Sequence, residues 1–302
     1  MIFFITGASS FVGVELCRYL TDKGHEVIAM SRKENVLLNE MSTSGHLQVL
    51  YADMQNLMEK TQDAKADVFI HLAWAGTLAG QRDNQELQEG NIKFSLDCLK
   101  LAKRMGCQLY VDAGSQAEYG IVPGVITEET ECYPVTAYGK AKLKMYQESR
   151  VLTEQLGVKY IHLRIFSVYG EKDHPNTLIM SALRKLKNNE PVEIRSGGQK
   201  WNYMYVKDAA RQIGELATYT MVNENFKCEI YNIASDDTRL LKEFVNKMKE
   251  ICKSSSELKF GGYNPKIDVN LNPDLRKTKR IVMPIAFWRF EDVVERLSDI
   301  VE

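Results

Sequence analysis

Residues 2–13 read Ile2-Phe3-Phe4-Ile5-Thr6-Gly7-Ala8-Ser9-Ser10-Phe11-Val12-Gly13. Ile2 to Thr6 is a short apolar run that ends at Gly7. Beyond the turn, Val12, Leu16, Tyr19 and Leu20 recur with helical period until Gly24 stops the pattern. The stretch is therefore read as strand, glycine-rich turn, helix. Such a turn brings backbone N–H groups at a helix N-terminus to a phosphate, where the helix dipole favours negative charge. The usual dinucleotide pattern has three glycines. Here Ser10 takes the middle place, so its Cβ narrows the approach to a pyrophosphate while its hydroxyl offers a hydrogen bond in return.

Outward from this unit, strands and helices alternate. Glu26 to Met30 reads as a second strand and ends in Ser31-Arg32-Lys33. In dinucleotide-binding sheets an acid after this strand takes the ribose 2′-hydroxyl and an arginine accommodates a 2′-phosphate. No acid stands there, so NADP is expected over NAD, with Arg32 as the reader. Leu47 to Tyr51 gives a third strand, followed by Ala52-Asp53-Met54, where Asp53 is placed to bind an adenine amino group. Asp67 to Ala73 is a fourth, leading into Trp74-Ala75-Gly76, and His71 inside it reads as a core histidine with a satisfied hydrogen bond. Residues 84 to 105 make an amphipathic helix, with Leu87, Asn91, Phe94, Cys98, Leu101 and Met105 spaced by three or four. Cys107 to Ala113 and Val158 to Phe166 are a fifth and a sixth strand. Helices over 176–188 and Leu240 to Cys252, with a strand at Glu229 to Ile233, precede a mixed tail. The alternation argues for an α/β fold, a doubly wound parallel sheet with helices on both faces, plus a smaller C-terminal lobe.

The chemistry-bearing stretch is Tyr138-Gly139-Lys140-Ala141-Lys142. A tyrosine and a lysine four residues apart share one helix face. An ammonium beside a phenol favours the phenolate, which makes Tyr138 a usable proton donor or acceptor near neutral pH. Ser115, in Gly114-Ser115-Gln116-Ala117-Glu118-Tyr119-Gly120, follows a central strand and so points into the crevice where such sheets bind ligands.

Composition narrows the classes. Of 302 residues, 44% are hydrophobic and 26% charged, ordinary for a folded chain. Lys+Arg (39) and Asp+Glu (40) nearly cancel, so no overall basic field argues for nucleic acid or an anionic membrane. The longest apolar run, Val68 to Gly76, is far short of a membrane span. With no basic segment and cleavage site before Ile2, a cytoplasmic location is expected. Six scattered cysteines show no CxxC pair and no nearby histidine cluster, so no metal site is expected.

Taken in order, the glycine-rich turn, Ser115 and Tyr138-xxx-Lys142 resemble the extended branch of the short-chain dehydrogenase/reductase superfamily, the NAD-dependent epimerase/dehydratase family. Further pieces carry the resemblance: Ala52-Asp53-Met54, His71-Leu72-Ala73-Trp74, Leu163 to Gly170, Tyr203 to Ala210 and Tyr231-Asn232-Ile233-Ala234. It implies a Rossmann-type domain over 1–167 plus 204–254 and a nucleotide-sugar lobe over 168–203 plus 255–302. It implies that Tyr138 is the general acid/base, that Lys142 lowers its pKa and holds the nicotinamide ribose, and that Ser115 hydrogen-bonds the reacting sugar oxygen. Gly7, Ser10, Phe11, Val12 and Gly13 would cradle the pyrophosphate, with Ser31 and Arg32 beyond the second strand. Asp53 and Met54 would flank the adenine, and Leu72, Ala73, Trp74 and Phe166 would pack along the cofactor. A homodimer through helices 84–105 and 138–156 is implied as well.

Departures from the family pattern point to a branch. Dehydratases of the family carry an Asp-Glu pair where this chain has Gln116 and Ala117, so a dehydratase is not expected. The 4-epimerases usually hold NAD through an acid after the second strand, where this chain has Ser31-Arg32. Ser167 replaces a common asparagine, and the arginine for the substrate diphosphate aligns with Trp201, beside Lys200. Gln116, Ser167, Lys200 and Trp201 are thus the expected substrate contacts, with Arg276 a further candidate for the diphosphate. The chain looks similar to bacterial reductases that make CDP-linked dideoxysugars such as abequose and paratose. The expectation is an NADPH-dependent 4-ketoreductase of a nucleotide-diphosphate 6-deoxyhexulose. The alternatives are an NAD-dependent nucleotide-sugar 4-epimerase and a non-catalytic dinucleotide sensor.

Overall fold

The computed structural model describes residues 1–78 and 80–301. Ala79, in the loop around 75–90, and Glu302, the end of the expected lobe, lie outside the described residues. In chain order the elements are β1 (Ile2–Thr6), α1 (Phe11–Asp22), β2 (Glu26–Ser31), α2 (Val36–Ser42), β3 (Leu47–Tyr51), α3 (Leu57–Lys60) and β4 (Val68–His71). Then come α4 (Gln85–Arg104), β5 (Leu109–Ser115), α5 (Ala137–Leu156), β6 (Lys159–Ile165), β7 (Ser167–Tyr169), α6 (Leu178–Lys187), β8 (Val192–Ile194) and β9 (Lys200–Tyr205). The chain continues through α7 (Val206–Val222), β10 (Cys228–Ile233), β11 (Thr238–Leu240), α8 (Leu241–Ile251), β12 (Leu258–Phe260) and α9 (Phe290–Ile300). Among the described residues no helix is long and apolar enough to cross a membrane.

The chain divides into two units, one of residues 1–120, 131–165 and 210–233, the other of 121–130, 166–209 and 234–302. The first is a seven-stranded sheet in the order β10-β6-β5-β4-β1-β2-β3. All of its pairings are parallel. The chain winds outward from β1 through β2 to β3, then returns to β4 beside β1 and winds the other way. The order therefore reverses between β1 and β4, and a ligand crevice lies beyond the carboxyl ends of strands at such a reversal. Phe3, Phe4 and Ile5 of β1 and Val68, Phe69 and Ile70 of β4 are fully buried, as strands covered on both faces must be.

His71 closes β4 as a core histidine. Its Nδ1 is 2.7 Å from Thr6 Oγ1 and its Nε2 2.9 Å from Ser95 Oγ. Burial lowers its pKa to about 3, so the imidazole is neutral. Gly7, just past β1, has φ +71°, and a Cβ there would lie 2.7 Å from the Ala73 backbone nitrogen. Only glycine fits that close approach of the two strand ends.

The second unit holds a three-stranded sheet, β11-β9-β7, and the two-stranded β12-β8. Tyr169, Tyr203, Phe244 and Phe290 form its aromatic centre, with Phe244 and Phe290 edge-on at 4.8 Å. The expected division placed 204–254 with the dinucleotide-binding part. By contacts 210–233 group with the first unit, whereas 121–130, 166–167, 204–209 and 234–254, all expected in the dinucleotide-binding part, group with the second, the last because β11 pairs antiparallel with β9. Strand β6 also ends at Ile165, one residue short of Phe166, since Ser167 already opens β7, which pairs with β9.

Candidate active site

Beyond β1, β2 and β4 the first unit contains a cavity of about 450 Å³. Its lining includes Gly7, Ser10, Phe11, Val12, Ser31, Arg32, Met54, Leu72, Ala73 and Trp74, ten of the fifteen residues expected to hold a cofactor, Tyr138 among the other five. Ser10 is the N-cap of α1, and its hydroxyl accepts from the Gly13 N–H at 3.1 Å. The third glycine is needed for another reason: a Cβ on Gly13 would meet the carbonyl oxygens of Gly7 and Ala8. A tight turn that brings Gly7, Ser10, Phe11 and Val12 to the cavity at a helix N-terminus fits a dinucleotide pyrophosphate. Asp53 does not line the cavity. Its Oδ1 accepts from the backbone N–H groups of Gln55 and Asn56 and so shapes the turn that carries Met54.

Ser115, Tyr138 and Lys142 converge. Thr136 caps α5 by accepting from the Gly139 N–H at 3.0 Å, and this fixes the start of the helix that carries the tyrosine and the lysine. Tyr138 and Ser115 are both buried. Burial raises the Tyr138 pKa above 10, although the Ser115 hydroxyl and the Arg82 charge pull it down. Tyr138 is therefore a protonated phenol at neutral pH. Lys142 Nζ donates to the Ala113 carbonyl at 2.5 Å and lies 3.5 Å from the Trp74 ring centroid. Burial lowers its pKa to about 7, against the opposing pull of Asp112 and Glu118. Sequence reasoning gave Lys142 the task of tuning Tyr138. In the structure two charges stand near the phenol: Lys142 Nζ is 5.8 Å from its ring centroid, and the Arg82 guanidinium carbon, at 5.1 Å, belongs to the charge that pulls its pKa down. Arg82 lies in a loop with no periodicity, so no pattern marked it.

The loop after β4 is held from α4. Gln88 accepts from Trp74 Nε1 at 2.8 Å, and Asn91 bonds both the N–H and the carbonyl of Ala75 at 2.9 Å. Beneath Ser115 lies a set of buried charges that the sequence did not single out. His162 Nδ1 is 2.5 Å from Asp112 Oδ1 and its Nε2 3.0 Å from Glu118 Oε2. Arg164 Nε donates to the same Glu118 oxygen at 3.0 Å. These residues are 0% exposed except Arg164, at 3%, so they must neutralise one another. Gly114 lets them in, since a Cβ there would strike the His162 imidazole and the Glu118 carboxylate.

Phe166, Ser167, Lys200 and Trp201 belong to the second unit. Trp201 lines a cavity of about 420 Å³ with Asn176, Arg195, Gln199 and Tyr203, and its buried Nε1 has no hydrogen-bond partner. Lys200, one residue away on β9, is exposed and does not line it, as strand alternation requires. Arg276 is paired with Asp274 at 2.7 Å. Among the described residues no His, Cys, Asp or Glu cluster could hold a metal ion.

The site and the sheet define a dinucleotide-dependent enzyme. A model of the NAD dependent epimerase/dehydratase family matches residues 3–234, and the chain belongs to that family. It is 24% identical to the uncharacterized UDP-glucose epimerase YtcB of Bacillus subtilis over 92% of this chain and 90% of that one. It is 23% identical to CDP-abequose synthase of Salmonella muenchen over 85% and 83% of the two chains. The fold matches that of UDP-glucuronic acid 4-epimerase from Bacillus cereus in complex with NAD, with TM-score 0.85 and 20% identity over 100% of this chain and 98% of that one.

The charge set under Ser115 makes stability depend on pH. The His162 pKa is raised from 6.5 to about 9 by Glu118 and Asp112, which outweigh burial. A raised pKa means stabilisation that is complete below 6.5 and lost as pH rises through about 9. The gap in Tm between the unaltered protein and His162→Gln should thus be widest below pH 6.5 and shrink through pH 9. A gap independent of pH would show that no imidazolium is paired there.

Proposed function

We propose that the protein is an NADPH-dependent reductase of a nucleotide-diphosphate 4-keto-6-deoxyhexose. The observation that carries the choice is Arg32, which lines the dinucleotide cavity beside Ser31 at the end of β2, where an acid would select the 2′-hydroxyl of NAD. Ser31, Arg32, Met54 and the 72–74 segment would hold the cofactor, and bound dihydronicotinamide supplies a hydride. Tyr138, protonated by virtue of its burial, gives its phenolic proton to the C4 oxygen as the carbonyl carbon is reduced, so proton and hydride together complete the alcohol. Ser115 donates to the same oxygen and stabilises the charge that develops on it. Lys142, held by the Ala113 carbonyl, lies on the cofactor side of Tyr138 beside Trp74. Trp201 and the cavity it lines are the proposed seat of substrate contacts in the second unit, with Ser167 a further contact. The likeness to CDP-abequose synthase supports this reading.

A second reading is a nucleotide-sugar 4-epimerase, favoured by the fold likeness to an epimerase in complex with NAD. Epimerisation uses the same three residues but returns the hydride to the sugar. Purified protein incubated with NADPH and a panel of nucleotide-linked 4-keto-6-deoxysugars should consume NADPH with at least one of them. Tyr138→Phe should cut that turnover by roughly 10²–10⁴-fold with cofactor affinity nearly intact. Tightly bound NAD with no NADPH oxidation would favour the epimerase, and binding without any turnover the sensor.

Cofactor choice has its own test. Arg32→Ala should weaken NADPH by roughly tenfold or more, the value of a hydrogen bond to a charged group, and NADH far less. Equal losses for both would show that Arg32 does not read a 2′-phosphate.

The chain is further proposed to form a homodimer through α4 and α5. Leu96 of α4 and Val151 and Leu152 of α5 line a shallow depression on that surface, and Val151 is 56% exposed in the single chain. Light scattering should give twice the chain mass, and Val151→Glu should lower it; a monomer for both would refute the pairing.

A further inference from the structure

The charges beneath Ser115 hold more than the fold. Ser115 closes β5 and caps the 3-10 turn Gln116–Glu118 that follows it. Its backbone N–H donates to Glu118 Oε1 at 2.7 Å, and its hydroxyl accepts from the Ala117 N–H at 3.1 Å. Those two bonds fix the turn that carries the hydroxyl, and the hydroxyl acts on the buried Tyr138 phenol, pulling its pKa down. Glu118 cannot swing away, because His162 and Arg164 both grip its second oxygen. His162 is gripped in turn by Asp112, which also accepts from the Tyr160 hydroxyl at 2.8 Å. Arg164 is kept flat by the Tyr119 ring, 4.5 Å away.

We infer that Glu118, clamped by His162 and Arg164, is a positioning residue that aims the Ser115 hydroxyl at Tyr138 and at the substrate oxygen. It touches no reacting atom itself. A carboxylate is suited to this place because its two oxygens can serve two masters: one receives the Ser115 N–H while the other is pinned by cations. Aspartate keeps the charge but is one methylene shorter, so it can satisfy His162 and Arg164 or reach Ser115, not both.

The inference rests on the role given to Ser115 above, so one arm of its test is independent of turnover. The ring carbon bearing the Tyr138 hydroxyl, labelled with ¹³C and assigned by its absence in Tyr138→Phe, reports the hydrogen bond from Ser115. Lys142 on the same helix, Arg82 and Trp74 from the loop after β4, and Glu118 also face that phenol, so the comparison is made at one fixed pH. Ser115→Ala should shift the signal. Glu118→Asp should shift it in the same direction, and the double variant no further than Ser115→Ala alone. Turnover, once a substrate is in hand, should follow the same pattern: Glu118→Asp lowers kcat about tenfold or more with Ser115 present and less than about twofold in Ser115→Ala. Equal losses in both backgrounds, or an unmoved Tyr138 signal, would overturn the inference. Should Glu118→Asp fail to fold, Glu118→Gln, whose single amide oxygen cannot both accept from the Ser115 N–H and be pinned by His162 and Arg164, replaces it in the same cycle with the same coupled outcome required. A missing effect of Ser115→Ala on turnover, with the Tyr138 signal still coupled, would instead count against the proposed reaction alone.

Discussion

Four charged side chains with almost no access to water, Asp112, Glu118, His162 and Arg164, are the constraint on which the site depends. Taking such groups out of water costs several kcal/mol each unless every one meets a partner in good geometry. Here the partners come from β5, from the turn after it and from β6, so the pairs form only when those two strands are in register. Ser115 and Ile165 face one another at the ends of that register, and Gly114 and Arg164 sit one step back. The electrostatic requirement and the strand pairing thus enforce one another. The serine that ends β5 inherits its position from both.

The sheet supplies the rest through its order. Because the chain reverses direction of winding between β1 and β4, a crevice opens beyond the carboxyl ends of those strands where the backbone can approach a ligand. Gly7 and Ala73 come nearly into contact at that place, which makes the floor of the dinucleotide cavity narrow and apolar. Gln88 and Asn91 on α4 then hold the Trp74–Gly76 segment by side-chain bonds to its ring and backbone. Trp74 in turn offers its ring face to Lys142, so a lysine on α5 is oriented by a segment fixed from α4.

What could be read from the sequence was what repeats or punctuates. The strands of the first unit are short apolar runs, and all six expected in its first 166 residues are present. Ser115, Tyr138 and Lys142 were legible because strand-end and helix-face positions follow from local period alone. In the second unit the helices α6 and α8 were legible in the same way, but β7, β8, β11 and β12 were not, being three residues long, too short for any period to register. Asp53 stood at a strand end like Met54, yet its side chain turned to bond Gln55 and Asn56, a local choice that spacing does not encode. Glu118 and His162 were invisible for the opposite reason. They are 44 residues apart, and each looks like an ordinary surface residue until the sheet brings them together.

This burial also limits the chemistry. Glu118 and Asp112 each stand three residues from Ser115 in the chain, and a free carboxylate at Glu118 would supply a second acid or base and make elimination of water feasible. Its two oxygens are instead filled by the Ser115 N–H, His162 and Arg164, and the cations hold its pKa below 4.5 against the pull of burial. It can neither give nor take a proton at neutral pH. Asp112 is spent in the same way on His162 and Tyr160. What is left beside Ser115 is one phenol that begins protonated and one amine with a pKa of about 7. One proton at one oxygen is what carbonyl reduction needs, whereas elimination needs an acid and a base on separate atoms. Under the proposed reaction the buried charges would therefore do two things at once: they would hold Ser115 on target, and by satisfying each other they would leave Tyr138 as the proton donor beside it.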